Sequence, residues 1–336
     1  MTTTITPMIQ YTRDSSGHVM LKAQNAENVE FKGVGIVSGN GTISFGSTGE
    51  DNHTMVSYIT EKDQENEFIL ANDSGMNYNI LGEGANVKSM GGNATRMIEV
   101  SAINSNIDLS NTSGSQALNM TESARDNKIQ LGVGSDYYVD AGDYNQVVDN
   151  GGYNNYETKS TAFGTVIVGG AGKDDFLIGG KYAVISGGYG SNSYKVMSNG
   201  NEITEDSAFG NIIIGGDGNE YYEDHSLNNF FYGAGGADSV KLTGIDCLVD
   251  LSDNYGEVTG TISSTSIESM IFVDKNKTYD GKTYSLFQKM KELGFDINEF
   301  LTTTEFVDTK DMIKNHTAIS VILGQLTQVL SRADNA

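Results

Sequence analysis

The chain has 336 residues, 41 of them Gly and only one Pro, with 44 acidic against 21 basic side chains and a formal net charge of −23. An acid excess of this size argues against nucleic acid or an anionic membrane surface as a partner and favours cations. The lone Cys247 excludes a disulfide framework within one chain, and no apolar stretch approaches the roughly eighteen residues needed to span a bilayer.

The first ten residues, Met1-Thr-Thr-Thr-Ile-Thr-Pro-Met-Ile-Gln, lack the basic start and apolar centre of a secretory signal peptide. Val34-Gly-Ile-Val-Ser-Gly and Leu81-Gly-Glu-Gly-Ala-Asn86 resemble worn glycine turns. Between them, Met55-Val-Ser-Tyr-Ile59 and Glu67-Phe-Ile-Leu70 are strand-like and bounded by turn residues. Residues 1–130 thus read as an irregular β region, a degenerate start to one solenoid running from about residue 15 to 280. A separate β-sandwich is the competing reading. The polar segment 103–127 reads as a wide loop or insertion.

From Leu131 the pattern sharpens. Short apolar runs end in glycine pairs at Val166-Ile-Val-Gly169-Gly170, Phe176-Leu-Ile-Gly179-Gly180, Val184-Ile-Ser-Gly187-Gly188 and Ile212-Ile-Ile-Gly215-Gly216. Strands this short, each followed by a glycine turn, cannot form helices or long strands. They can form a coil of short parallel strands that stacks turn on turn around a shared interior. Gly169-Gly-Ala-Gly-Lys-Asp174-Asp-Phe176-Leu fits the nonapeptide G-G-x-G-x-D-x-U-x at every specified position, U being a large apolar residue. Partial copies put Asn192, Glu220, Asp238, Asp136 and Asn154 in the acidic slot. The apolar slot predicts inward-facing Phe176, Ile185, Tyr194, Tyr222, Phe231 and Val240. The fold expected is all-β: a right-handed parallel β-roll or β-solenoid over 131–280, with a small C-terminal helical segment over 281–336.

These repeats resemble the repeats-in-toxin (RTX) family of secreted bacterial proteins, sharply over 131–241. The resemblance implies calcium bound between stacked turns at the pairs Asp174/Asn192, Glu220/Asp238 and Asp136/Asn154, each 18 residues apart. Backbone carbonyls of Gly169, Gly170, Gly172, Gly187, Gly188, Gly190, Gly215, Gly216 and Gly218 would complete the shell, since calcium takes six to eight oxygens. The chain departs from the family by placing Asn in two of the three pairs and Ala183, Asn145 and Asn229 in the intervening slots. Stacked Asn residues that hold the coil without metal are the alternative. The resemblance also implies export without an N-terminal signal, read from the C-terminal helical segment 281–336, which alternatively caps the end of the solenoid. There, residues 284–293 and 309–330 have helical spacing, the latter through Ile313, Ala318, Ile319, Ile322, Leu323, Leu326, Val329 and Leu330.

No H-E-x-x-H zinc motif and no G-x-S-x-G nucleophile elbow occurs. The densest acid cluster is Tyr221-Tyr-Glu-Asp224-His225, which suits carboxylate chemistry on a sugar or simply a solvated turn. The expected function is an extracellular, non-enzymatic structural protein (surface-layer, adhesin or matrix component) at the cell surface. Its expected partners are copies of itself, in an oligomer, lattice or filament joined through residues 1–60, and a cell-surface glycan. A polysaccharide-active enzyme is the alternative.

Overall fold

The computed structural model describes residues 77–197 throughout, most of 208–242, and residues 56–60 and 67–70 ahead of them; outside these it describes the backbone of strands between Met8 and Tyr284. The fold is an all-β solenoid of short parallel strands. Two compact units divide it, residues 1–151 and 152–336.

In the first unit, one sheet stacks Glu67–Leu70, Asn86–Ser89, Asn106–Asp108, Lys128–Gln130 and Gln146–Val148 in parallel. The other stacks His53–Thr60, Asn77–Gly82, Arg96–Val100, Gln116–Met120 and Tyr137–Asp140. The parallel stack therefore begins at His53, well before the sharp repeats. Ahead of it the pairing is antiparallel: Met8–Arg13 with Val19–Gln24, and Thr42–Thr48 with His53–Thr60. Within residues 34–46, read above as a worn glycine turn, the described strand Ile36–Ser38 pairs antiparallel with Val19–Gln24 and Glu67–Leu70, not as a parallel solenoid strand. Segment 103–127 is not a loop. Its strands Asn106–Asp108 and Gln116–Met120 lie in the two sheets, with Ile107, Leu109, Leu118 and Met120 buried at alternate positions. The polar residues that disguised it are the outward half of a period-two pattern.

In the second unit, one sheet stacks Val166–Val168, Val184–Gly188, Ile212–Gly216, Phe230–Ala234, Leu248–Asp250 and Met270–Phe272. The facing sheet stacks Asn155–Thr158, Asp175–Ile178, Ser193–Val196, Tyr221–Asp224, Ser239–Leu242 and Glu257–Val258. Phe176, Ile185, Tyr194, Tyr222, Phe231 and Val240 are all buried, as their repeat position requires. Along one sheet Tyr156, Phe176 and Tyr194 stack ring on ring, both steps 4.8 Å between centroids at 12° and 8°, which matches the distance of about 4.8 Å between paired strands. Tyr222 stacks instead on Phe231, from the facing sheet, at 4.4 Å and 4°.

Backbone packs on backbone at the glycine turns. A Cβ on Gly172 would lie 1.7 Å from the Gly152 carbonyl oxygen, and one on Gly190 would lie 1.7 Å from that of Gly172. The nonapeptide glycines are therefore dictated by clearance between successive turns as much as by φ. The expected helices over 284–293 and 309–330 lie outside the described residues, apart from Tyr284, which ends a strand, Lys282–Tyr284, paired antiparallel with Lys277–Tyr279.

Candidate cation site in the corner column

Where each strand of the second sheet begins, the slot residue turns its side chain inward, under its own glycine turn, and meets the turn before it. In the second unit Asn154, Asp174, Asn192, Glu220 and Asp238 form one column, all buried. The Asn154 amide donates to Asp174 Oδ1 at 3.0 Å, the Asp174 amide to Asn192 Oδ1 at 2.9 Å, and the Glu220 amide to Asp238 Oδ1 at 2.9 Å. The steps along the column are 20, 18, 28 and 18 residues, so the 18-residue phase read from sequence is only part of a longer array. In the first unit Arg96, Gln116 and Asp136 stack in the same way: Arg96 Nη1 donates to Gln116 Oε1 at 3.2 Å and the Gln116 amide to Asp136 Oδ1 at 2.7 Å. Asp136 belongs to one unit and Asn154 to the other.

The turn glycines make room for these side chains. A Cβ on Gly169 would stand 2.8 Å from Asp174 Oδ2, and one on Gly187 would stand 1.9 Å from the Tyr194 hydroxyl and 2.4 Å from Asn192 Nδ2. Several glycine carbonyls that the resemblance assigns to a metal are engaged instead. Gly170 O accepts the Tyr189 amide at 2.8 Å and Gly190 O accepts Asn192 Nδ2 at 3.3 Å.

A second column, at the opposite corner, was not singled out in the sequence as a unit. The Ser105 amide donates to Asn127 Oδ1 and the Asn127 amide to Asn145 Oδ1; in the second unit the Ala183 amide donates to Asn211 Oδ1 and the Asn211 amide to Asn229 Oδ1. The residue before the column takes positive φ at Asn104, Asp126, Tyr144 and Tyr182, the left-handed turn that Asn and Asp tolerate best. Two buried carboxylates anchor this side. Asp224 Oδ1 accepts the Ser226 amide and hydroxyl, while its Oδ2 accepts Tyr222 OH at 2.6 Å and Asn229 Nδ2 at 3.1 Å. Asp140 takes the Gly142 amide and Asn145 Nδ2 in the same manner. The sequence signal was present: Tyr-x-Asp followed five residues later by Asn, at Tyr138/Asp140/Asn145 and again at Tyr222/Asp224/Asn229.

The two corners differ in charge balance. Asp224 is caged by donors and needs no counter-ion. Asp174 Oδ2 and both carboxylate oxygens of Glu220 are buried without a hydrogen-bond partner. Burial pushes Asp174 up to about 7 and Asp136 up to about 6, each offset in part by the backbone amide it accepts. Burial raises Glu220 further, and the neighbouring Asp238 carboxylate adds to the rise; the Gly216 and Asn192 amides oppose it. Tyr194 lies among them, its hydroxyl held far above the usual phenol range by burial and by the charges of Glu220, Asp174 and Asp238.

These residues do not fit calcium equally. Asp174 offers one oxygen without a hydrogen-bond partner and stands in the column between Asn154 and Asn192. Glu220 and Asp238 put two carboxylates on adjacent turns and leave two oxygens of Glu220 unused, which is the better donor set. Among the described residues no three His, Cys, Asp or Glu side chains converge, so backbone oxygens or water would have to supply the remaining ligands.

The Tyr221–His225 cluster splits between two faces. Tyr222 and Asp224 point inward. Glu223 points outward and is held by Lys241 Nζ at 2.7 Å and His225 Nε2 at 2.8 Å, which together keep its carboxyl low, at about 2. No protein-family model, no curated protein and no solved structure matches the chain. Among the described residues no helix is long and apolar enough to cross a membrane.

Proposed function

We propose that this chain is an extracellular, non-enzymatic structural protein whose β-solenoid is tightened by calcium at Glu220 and Asp238. The observation that carries the reading is the carboxylate of Glu220, buried beside that of Asp238. Two buried carboxylates face each other across adjacent turns, and neither oxygen of Glu220 has a well-formed hydrogen bond beyond the weak pull of the Gly216 and Asn192 amides, while five hydrogen bonds reach the Asp224 carboxylate in the same unit. Buried charge without donors costs several kcal/mol unless a cation or proton neutralises it. A divalent cation supplies the missing charge when bound, and Glu220 and Asp238 would hold it. Weak occupancy at cytosolic calcium and higher occupancy at millimolar levels would leave the chain loose before export and firm after it. A long solenoid of this kind suits assembly with further copies into a lattice or filament at a cell surface.

The enzymatic alternative has less support. Glu223, the outward-facing acid of its cluster, is neutralised by Lys241 and His225 and is a poor base, and Asp224 is locked in its donor cage. The test is thermal unfolding of the full chain in EGTA and in millimolar calcium, with negative-stain microscopy of the same samples. Calcium should raise the melting temperature of the native chain and not that of Glu220→Gln/Asp238→Asn. Identical melts, or an equal rise in the double variant, would refute the assignment.

A further inference from the structure

In the second unit, side chains on either side of the inward row Ile167, Ile185, Ile213 and Phe231 must point away from the shared core, because neighbours along a strand face opposite ways. The inward assignment is fixed by Phe231, whose ring stacks on Tyr222 and approaches Tyr194 at 5.9 Å. The outward residues on these paired strands are Val166, Val184, Ile212 and Phe230 in one row, and Val168, Ser186, Ile214 and Tyr232 in the other. An outward sheet face is ordinarily polar and wet. Such is the case on two strands of the first unit, where the equivalent positions hold Asn106, Lys128, Asp108 and Gln130, exposed or half-buried; on that unit's last strand Gln146 and Val148 are already buried. Here the face is apolar, and Val184, Ile212, Ile214, Phe230 and Tyr232 are only 0–4% exposed. Something covers it.

We propose that the occupant is the chain's own C-terminal segment, residues 286–330, laid along the outer face of this sheet. Candidates within the unit separate by composition. Residues 198–207 (Ser-Asn-Gly-Asn-Glu-Ile-Thr-Glu-Asp-Ser) carry one large apolar side chain, and residues 251–269 are rich in Ser, Thr and Gly with isolated apolar positions. Residues 286–330 carry Leu286, Phe287, Met290 and Leu293, then the stripe from Ile313 to Leu330. A helix over 309–330 would be about 33 Å long, enough to cross four strands spaced by about 4.8 Å. Its apolar stripe matches an apolar face that otherwise lacks a reason to be apolar. This seat is on the side of the solenoid, not over its end. A segment held there is withdrawn from any partner that reads it once the second unit has folded, which couples folding to concealment of the C-terminus. The inference stands apart from calcium binding.

The test is photo-crosslinking in the full-length chain, with p-benzoylphenylalanine replacing Tyr232, an aromatic on the outward row, and separately Val168 at the edge of the face. Mass spectrometry of isotope-mixed samples identifies the captured peptide and whether it comes from the same molecule. Crosslinks concentrated in residues 286–330 of the same chain are expected from both positions. Capture of residues 198–207 or 243–283, capture of a second copy, or absence of any crosslink would overturn the proposal. The Val168 position keeps the test decisive if the Tyr232 variant does not fold.

Discussion

Asp174→Asn should make the calcium-free protein more stable, not less, and only above acidic pH. Asp174 is 0% exposed, one of its oxygens lacks a partner, and burial raises its pKa from 3.8 to about 7. Below pH 3.8 the acid is protonated in both the folded and the unfolded chain, and its contribution is at its most favourable. As pH rises from 3.8 to about 7, the unfolded chain ionises while the folded chain resists, so folding loses free energy throughout that window. At 1.36 kcal/mol per pH unit the loss is about 4 kcal/mol by pH 8. Asn keeps the Oδ1 that accepts the Asn154 amide, and Asn192 already occupies the next place in the column. Its extra amide hydrogens, incompletely paired, take back about 1–2 kcal/mol. The net expectation is a gain of about 2–3 kcal/mol at pH 8 in EGTA, shrinking to zero or slightly negative near pH 4. Urea unfolding of both proteins at half-unit intervals between pH 4 and 8.5 measures it. A variant less stable than the native chain at pH 8 would falsify the account of Asp174 as an uncompensated buried charge.

Two further substitutions test the packing. Phe176→Ala removes a ring stacked at 4.8 Å on both Tyr156 and Tyr194 and should cost about 3–5 kcal/mol in urea unfolding; a loss under about 1 kcal/mol would mean the aromatic column is not the core of the second unit. Gly190→Ala and Gly84→Ala form a matched pair, since both glycines have positive φ, 109° and 75°, but a Cβ on Gly190 would sit 1.7 Å from the Gly172 carbonyl oxygen while one on Gly84 meets open space. Gly84→Ala should cost only the backbone strain of about 1–2 kcal/mol and Gly190→Ala should abolish cooperative unfolding of its unit, and equal effects in thermal melts would refute the turn-on-turn clearance argument.

The turns and the interior of the coil can be read from the order of amino acids. A glycine pair after three or four apolar residues leaves few conformations, and the apolar slot of the nonapeptide told which side faces in, so Phe176, Tyr194, Tyr222 and Phe231 were legible as core. The same rule applied without the glycine pairs at residues 103–127, where period-two burial of Ile107, Leu118 and Met120 was masked by polar outward neighbours, and there composition misled. How the acidic slots are used depends on the folded coil. Spacing alone cannot tell whether a carboxylate turns outward to a cation or inward to the amide of the preceding turn. Nor can it foresee that steps of 20 and 28 residues bring Asn154, Asp174, Asn192 and Glu220 into one column. Asp224 and Glu220 are both buried acids four residues apart in sequence, and only the third dimension gives one a cage of donors and sets the other beside a second carboxylate.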